Sequence, residues 1–474
     1  MAEILTPDIC VIGAGSGGLS VAAAAAAFGV PVVLIEKHTM GGDCLNTGCV
    51  PSKALLAAAK HAEFMRSGEP FGISAQKPQV DFQKVHDHVH RVIRAIAPAD
   101  SAERFTGLGV RVIRGTARFK DRRTVSVGDT EIRARRFVIA TGSTPAVPPI
   151  AGLDRTPFLT NETIFDLTEL PKHLIVIGGG PIGLELAQAF RRLGSDVTVL
   201  EAATPLAKDD PECAAIVLDR LEREGVVIRS GVTVGNVKGA RGSVQVTLKG
   251  ADSEETIDGT HLLVATGRKA TVDGLNLEAA GIKYERTGIT VNKGLKTSNG
   301  RVYAVGDVAG QQQFTHAANY HAGLVIRNAL FRLPVTVNPN AIPWVTFTEP
   351  ELAQTGLTEA MARERGKKIR ILRWPYHDND RAQAEREPRG HIKVVTDTGG
   401  KILGATIAGA QAGELITTWT LAINQKLNIR AFTGIVVPYP TLSEIGKRAA
   451  IDFFTPSLTS PWVRRIIAWL RIFG

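Results

Sequence analysis

The sequence predicts an α/β protein in which one parallel-sheet unit occurs twice and an α+β region follows. Three observations carry this expectation. Near the N-terminus an apolar run leads through a glycine-rich turn into an alanine-rich helix, and the pattern returns after Leu174. Each repeat closes on an acid roughly twenty residues later, Glu36 and Glu201. From about Ile342, strand-like segments such as 391–395 mix with helical ones, and no further G-x-G-x-x-G turn occurs.

In the first repeat, Ile9-Cys10-Val11-Ile12 has the unbroken apolar character of a buried parallel strand. Gly13-Ala14-Gly15-Ser16-Gly17-Gly18 then opens the helix, and Val32 to Ile35 forms the next strand, ending at Glu36. This is a βαβ unit of the Rossmann type with G-x-G-x-x-G at its first turn. Gly13 makes the turn, Gly15 lets the backbone approach a pyrophosphate, and Gly18 lets helix and strand pack closely. Glu36 can accept hydrogen bonds from a ribose diol. The apolar run from Gly17 to Ile35 is nearly long enough to span a bilayer, but Gly29 and Pro31 divide it into a helix and a strand.

Next comes Gly41-Gly42-Asp43-Cys44-Leu45-Asn46-Thr47-Gly48-Cys49-Val50-Pro51-Ser52-Lys53. Four residues separate the cysteines, too many for a thioredoxin-like pair, and no second Cys or His pair follows at zinc spacing. Such thiols can form a disulfide only where the chain folds sharply, which Gly48 and the glycine pair permit. Pro51 suits a first helical turn, and a thiol at a helix start is biased towards thiolate by the dipole. The alternative, two buried structural cysteines, is disfavoured by the phosphate-binding loops on either side.

The second repeat runs from Leu174-Ile175-Val176-Ile177 through Gly178-Gly179-Gly180-Pro181-Ile182-Gly183 and a helix to strand Val197–Leu200 and Glu201. Gly178, Gly180 and Gly183 take the roles of the first three glycines, so two fingerprints predict two dinucleotides. Ala140-Thr141-Gly142 and Ala265-Thr266-Gly267-Arg268 form a further similar pair, each after a β-rich stretch. Val302 to Val305 reads as a strand ending in Gly306-Asp307.

With 474 residues the chain has room for two to four domains, and its composition is that of an ordinary globular protein. Four cysteines fit a reducing compartment in which a disulfide is catalytic rather than structural. The net charge of +10 comes from dispersed Lys and Arg; even the dense stretch from Arg91 to Arg136 lacks aromatic interleaving, which argues for a solvated face and against nucleic-acid binding. No basic segment leads into an apolar one at the N-terminus, so the expected location is cytoplasmic.

Together these motifs resemble the FAD-dependent, two-cysteine pyridine nucleotide–disulfide oxidoreductases, the group of dihydrolipoamide dehydrogenase, glutathione reductase and mercuric reductase. The resemblance implies an FAD-binding first part at 1–150, an NAD(P)-binding domain at 151–268, a second FAD-binding and central part at 269–340, and a dimerisation domain at 341–474 of a homodimer. It places FAD on Gly13, Gly15, Gly18 and Glu36, with Thr141, Gly142, Gly306 and Asp307 as further FAD contacts. Gly178, Gly180, Gly183, Glu201 and Gly267 fall to the nicotinamide dinucleotide. Cys49 becomes the thiol nearest the flavin and Cys44 the exposed thiol that meets substrate, while Lys53 pairs with Glu185. Glu201 favours NADH over NADPH, because a carboxylate binds ribose hydroxyls and repels a 2′-phosphate.

The chain departs from that family near its C-terminus. Tyr439-Pro440-Thr441-Leu442-Ser443-Glu444 has tyrosine where enzymes acting on disulfides place a histidine that moves protons, although Glu444 is retained. A phenol with an ordinary pKa of about 10 replaces imidazole poorly in this role. Mercuric reductases also place a tyrosine here, but their C-terminal vicinal cysteine pair is absent, and Cys10 and Cys213 read as small core residues. The acceptor expected is a soft metal ion or small disulfide. Alternatives are dihydrolipoamide in a 2-oxoacid dehydrogenase complex, or a quinone met at a membrane surface. His86, His88 and His90 suggest a metal cluster, but only His86 and His90 share a helical face; solvent-facing histidines are expected instead, with Val85, Val89, Ile93 and Ile96 as the core stripe. In the tail, Arg464, Arg465 and Arg471 gather opposite Trp462, Ile466, Trp469, Leu470 and Phe473, suiting either a membrane interface or docking on the dimerisation domain.

Overall fold

The computed structural model describes residues 3–249, 255–310, 312–458 and 460–474. These form two compact units, one built from Met1–Arg66, Ala75–Ala202 and Gly231–Asn338, the other from Ser67–Ser74, Ala203–Ser230 and Pro339–Gly474.

The first unit contains both glycine-rich repeats. Five strands lie parallel in the order Val302–Ala304, Arg136–Ile139, Ile9–Ile12, Val32–Glu36, Val110–Arg114. Ile9–Ile12 and Val32–Glu36 are wholly buried, as continuous apolar strands in a parallel sheet require. The helix Ser16–Ala27 crosses between them, so the apolar run does split into helix and strand. Its small side chains admit the close approach of helix Thr315–Phe331. In the second repeat, strand His173–Ile177 pairs in parallel with Asp196–Glu201 and with His261–Val264. The two Ala-Thr-Gly segments meet: Ser143–Pro145 pairs antiparallel with Arg268–Ala270.

The second unit centres on a five-stranded antiparallel sheet, ordered Trp344–Thr346, Glu351–Gly356, Ile402–Gly409, His391–Asp397, Ile369–Pro375. Helices Ala412–Asn424 and Glu444–Asp452 pack on it around Trp419 and Phe432, whose rings stack 4.0 Å apart. Cys213 is buried here and Cys10 is buried in the first unit; burial pushes both thiols up, which makes them inert core residues.

Helix Phe82–Ile96 departs from expectation. Only Phe82 and Val89 are buried, and Ile96 is 40% exposed. The three histidines are half-buried rather than solvent-facing. His88 and His90 each place Nε2 near a backbone carbonyl, of Ala54 at 3.2 Å and Phe165 at 3.1 Å. Neighbouring segments close over both edges of the apolar stripe, so the polar rims of the helix are partly covered as well.

Candidate active site

The segment carrying Cys44 and Cys49 is moored on the first glycine-rich turn. Gly41 N donates to Ala14 O at 2.9 Å, and Gly42 packs so tightly on Gly15 that a Cβ would lie 2.7 Å from the Gly15 Cα. Both Gly41 and Gly42 have positive φ, 88° and 62°. The glycine pair therefore serves a close backbone crossing as well as a sharp turn. Cys44 lies within the short helix Gly42–Asn46, and Cys49 is the first residue of helix Cys49–Arg66. Gly48 lets the chain fold back, since a Cβ there would meet Asp43 O at 2.9 Å.

This fold-back brings the two sulfurs into hydrogen-bonding contact as free thiols. The shared proton is divided unequally. A hydrogen bond from Cys44, then one from Thr315, and the ammonium of Lys53 bring the Cys49 thiol down to about 6 against the opposing effect of burial. The same contact and burial push Cys44 up. Cys49 is the more exposed of the two and Cys44 is half-buried, so among protein atoms alone exposure does not single out Cys44 as the outer thiol. The Thr315 hydroxyl acts on both sulfurs; what distinguishes Cys49 is its place on the helix that carries Lys53, whose ammonium favours its thiolate.

Lys53 Nζ reaches Glu185 Oε2 at 2.7 Å. Glu185 is buried on helix Pro181–Leu193, which packs against helix Cys49–Arg66. The expected pair is thus formed, with the carboxylate inside and the ammonium about a third exposed.

A second group of partners was not singled out by the motifs. Arg268, next to Gly267, is only 12% exposed. It donates to Ser143 Oγ at 2.7 Å and the Ser143 carbonyl at 2.9 Å, and lies 3.1 Å from Asp43 and 3.8 Å from Asp307. Ser143 Oγ in turn donates to Asp307 at 2.5 Å, and Asn161 donates to Asp43 and to the Thr47 carbonyl, both at 3.1 Å. One guanidinium therefore ties the cysteine segment to Asp307. Burial pushes the Asp307 carboxyl up, while Ser143 and Arg268 oppose that rise. A usable signal was present in the sequence: Ser143 and Arg268 are the residues that follow the two Ala-Thr-Gly repeats.

The first glycine turn has the close backbone packing of a dinucleotide-binding turn. A Cβ at Gly13 would lie 2.4 Å from the Ala140 carbonyl, and one at Gly18 would lie 1.9 Å from Gly13 O. No side chain caps helix Ser16–Ala27, whose amide dipoles can therefore face a pyrophosphate. Glu36 accepts from Ala14 N and His38 N, both at 2.7 Å, and a carboxylate so held retains lone pairs for a diol. Thr141 donates to Thr271 O at 2.7 Å, and Gly142 and Gly306 have φ of 66° and 69°. His321 is buried behind Gly306 and accepts from its amide at 3.3 Å; burial takes its pKa down to about 4 and keeps it neutral for that role.

The second turn repeats the design. Cβ atoms at Gly178 and Gly183 would meet Ala265 O at 2.4 Å and Gly178 O at 2.0 Å. Helix Pro181–Leu193 also starts without a side-chain cap, at Gly180. Glu201 accepts from Gly179 N at 2.7 Å at the strand end, and Gly267 has φ of 131°.

In the second unit, Tyr439 is 70% exposed and donates to Asp380 at 2.6 Å. That hydrogen bond to a carboxylate raises its pKa. Glu444, at the start of helix Glu444–Asp452, is held by Arg448 at 2.8 Å.

Residues 7–322 match the pyridine nucleotide-disulphide oxidoreductase family, and residues 342–450 match its dimerisation domain. A mercuric reductase of Streptomyces lividans is 37% identical over 458 residues, covering 94% of this chain and 96% of that protein. A dihydrolipoyl dehydrogenase of Thermus scotoductus is 38% identical over 457 residues, covering 93% and 95%. Among solved structures, the Cu(II) complex of the HOCl-induced flavoprotein disulfide reductase RclA from Escherichia coli superposes with a TM-score of 0.84 at 28% identity, covering 97% of this chain and 100% of that one.

Proposed function

The chain belongs to the pyridine nucleotide-disulphide oxidoreductase family, and on that premise we propose that it takes hydride from NADH and delivers the electrons through Cys44 and Cys49 to a soft metal ion or a small disulfide. The observation that carries this reading is the contrast between a thiol pair with one stabilised thiolate and a C-terminal segment whose tyrosine is tied to a carboxylate. FAD, when bound, couples two-electron hydride transfer to thiolate chemistry. Gly13, Gly15, Gly18, Glu36, Thr141, Gly142, Gly306 and Asp307 are the residues assigned to hold it. The second turn, with Glu201 and Gly267, is assigned to NADH.

Within the chain, Cys44, then Thr315 and Lys53, favour the thiolate form of Cys49, and Thr315 opens the helix just after Gly306–Ala309. That neighbourhood supports Cys49 as the flavin-proximal sulfur and Cys44 as the one presented to substrate. A soft metal ion is taken up by both thiolates without protonating a leaving thiol, so no imidazole is required. A disulfide acceptor differs: attack by one thiolate forms a mixed disulfide and releases a thiolate, closure of Cys44–Cys49 releases a second, and each leaving sulfur takes a proton. Tyr439, donating to Asp380, is a weak proton source for that reaction. Among the relatives, mercuric reductases and a Cu(II)-bound reductase are consistent with metal-ion acceptors.

Dihydrolipoamide oxidation is the second reading, favoured by the 38% identity to a dihydrolipoyl dehydrogenase and by the retained Glu444. Anaerobic reduction of the FAD enzyme with NADH, then reoxidation by Hg(II), Cu(II), lipoamide, glutathione disulfide and a quinone, separates the two. We expect Hg(II) or Cu(II) to exceed lipoamide by about a hundredfold, the scale of one lost general acid. Lipoamide turnover equal to or faster than either metal overturns the proposal, as does reoxidation by the quinone alone. Glu201→Gln should narrow the ratio of kcat/KM for NADH over NADPH; an unchanged ratio removes Glu201 from coenzyme choice.

A further inference from the structure

The C-terminal helix Pro461–Leu470 and the turn Arg471–Phe473 contain no buried residue. Trp462 is 70% exposed, Trp469 59% and Phe473 71%, and these three share a helical face with Ile466 and Leu470. Arg464 and Arg471 lie on the opposite side and Arg465 at the edge of the apolar face, with Ile467 and Ile472 between them. The helix therefore does not dock on the dimerisation unit of its own chain. A contiguous aromatic and aliphatic face left in water marks an interaction surface.

Three observations identify the occupant. The match to the family's dimerisation domain ends at residue 450, so this segment lies beyond the matched domain. After Asp452 the chain has three arginines and no acidic side chain, a charge pattern complementary to an anionic surface. Tryptophans and a phenylalanine opposite arginines are the composition of a helix lying between headgroups and acyl chains. At about 1.5 Å per residue the helix spans roughly half of a bilayer core, too short to cross and long enough to lie flat.

We propose that residues 460–474 bind the surface of an anionic lipid bilayer and hold the enzyme at the membrane. The arginines would face the headgroups, and the Trp462, Ile466, Trp469 and Phe473 side chains would enter the acyl boundary. Any acceptor partitioned into or bound at that membrane would then be concentrated near the enzyme. This inference does not depend on which acceptor the thiols reduce.

The test uses the full-length FAD enzyme and a form truncated after Leu458, cosedimented with vesicles of phosphatidylcholine alone or mixed with phosphatidylglycerol. The full chain should pellet with the mixed vesicles and remain in solution with phosphatidylcholine, and the truncated form should pellet with neither. Arg464→Ala and Arg465→Ala should each lower the partition coefficient about fivefold at low salt. Trp469→Ala should also release the protein, and flavin absorbance with NADH oxidation rates shows that each variant is folded. Equal pelleting of both forms, or no pelleting of the full chain with the mixed vesicles, overturns the proposal. A loss of dimer mass on truncation, with no vesicle binding by the full chain, would instead assign the helix to the subunit contact.

Discussion

The neighbourhood of Cys44 and Cys49 and the segment from Tyr439 to Glu444 are built to different standards. In the first, Asp43 is held by Arg268 and Asn161, Lys53 by Glu185, and Cys49 by Cys44 and Thr315. Each polar group near the sulfurs has a partner from a different element, so its position is over-determined. In the second, Tyr439 projects at 70% exposure and makes its hydrogen bond to a surface carboxylate, while Glu444 is satisfied one helical turn away by Arg448. The comparison teaches that this chain has invested its organisation in moving electrons to sulfur and little in moving protons beside it.

The largest test removes the electron end. Cys49→Ser should lower NADH-dependent reduction of metal ions and disulfides by about a thousandfold or more, the scale seen when one member of a catalytic unit is lost. Transfer of hydride from NADH, followed by bleaching of the flavin band, should persist. If Cys49→Ser retains the long-wavelength thiolate-to-flavin absorption on two-electron reduction and Cys44→Ser abolishes it, the two sulfurs have been assigned in the wrong order.

The next test builds the proton end. Tyr439→His restores a group that titrates near neutrality, so lipoamide turnover should rise about a hundredfold while the Hg(II) or Cu(II) rate changes little. No gain would mean that Glu444, committed to Arg448, cannot orient the new ring; Arg448→Ala in the same background should then release it.

Breaking the Lys53–Glu185 pair tests how far the organised region depends on its buried charge. Lys53→Met removes an ammonium that favours the Cys49 thiolate, together with the 2.7 Å ion pair it makes with the buried Glu185. The expected cost is about 1–3 kcal/mol of stability, moderated because the ammonium is part-exposed, with reactivity of the reduced enzyme towards iodoacetamide moved to higher pH. A profile that stays at about pH 6 would remove Lys53 from thiolate stabilisation.

The sequence made the organised region readable for a physical reason. Gly13, Gly18, Gly178 and Gly183 are required by backbone crossings a few ångströms wide, which no other residue tolerates, so their spacing survives as a pattern. Local strand and helix periods placed both sheets for the same reason. Asn161, Thr315 and Asp380 were not readable, because their partners are 59 to 266 residues away and no local spacing marks such contacts, whereas Arg268 is marked only by its place after the second Ala-Thr-Gly. The histidines of helix Phe82–Ile96 misled in the opposite direction: their spacing was local, whereas their burial is set by the Ala54 and Phe165 carbonyls of distant segments.

The smallest effect is the most discriminating. Thr315 offers Cys49 a hydroxyl at 3.6 Å, a long contact that lowers the thiol after Cys44 and ahead of Lys53. Its loss in Thr315→Val should cost less than about 1 kcal/mol of thiolate stabilisation. Because the thiolate is the reactive form, alkylation of the reduced enzyme should be fast above about pH 6 and fall as protonation sets in below it. In Thr315→Val that midpoint should move up towards pH 7, and Thr315→Ser should return it. A midpoint unmoved by either variant would mean that Cys44 and Lys53 hold the thiolate without help from the helix that follows Asp307. The Cys49 thiolate would then be held by two groups, Cys44 and Lys53, rather than three, and the contrast with Tyr439 would rest less on the thiolate and more on the Arg268 and Lys53 pairs.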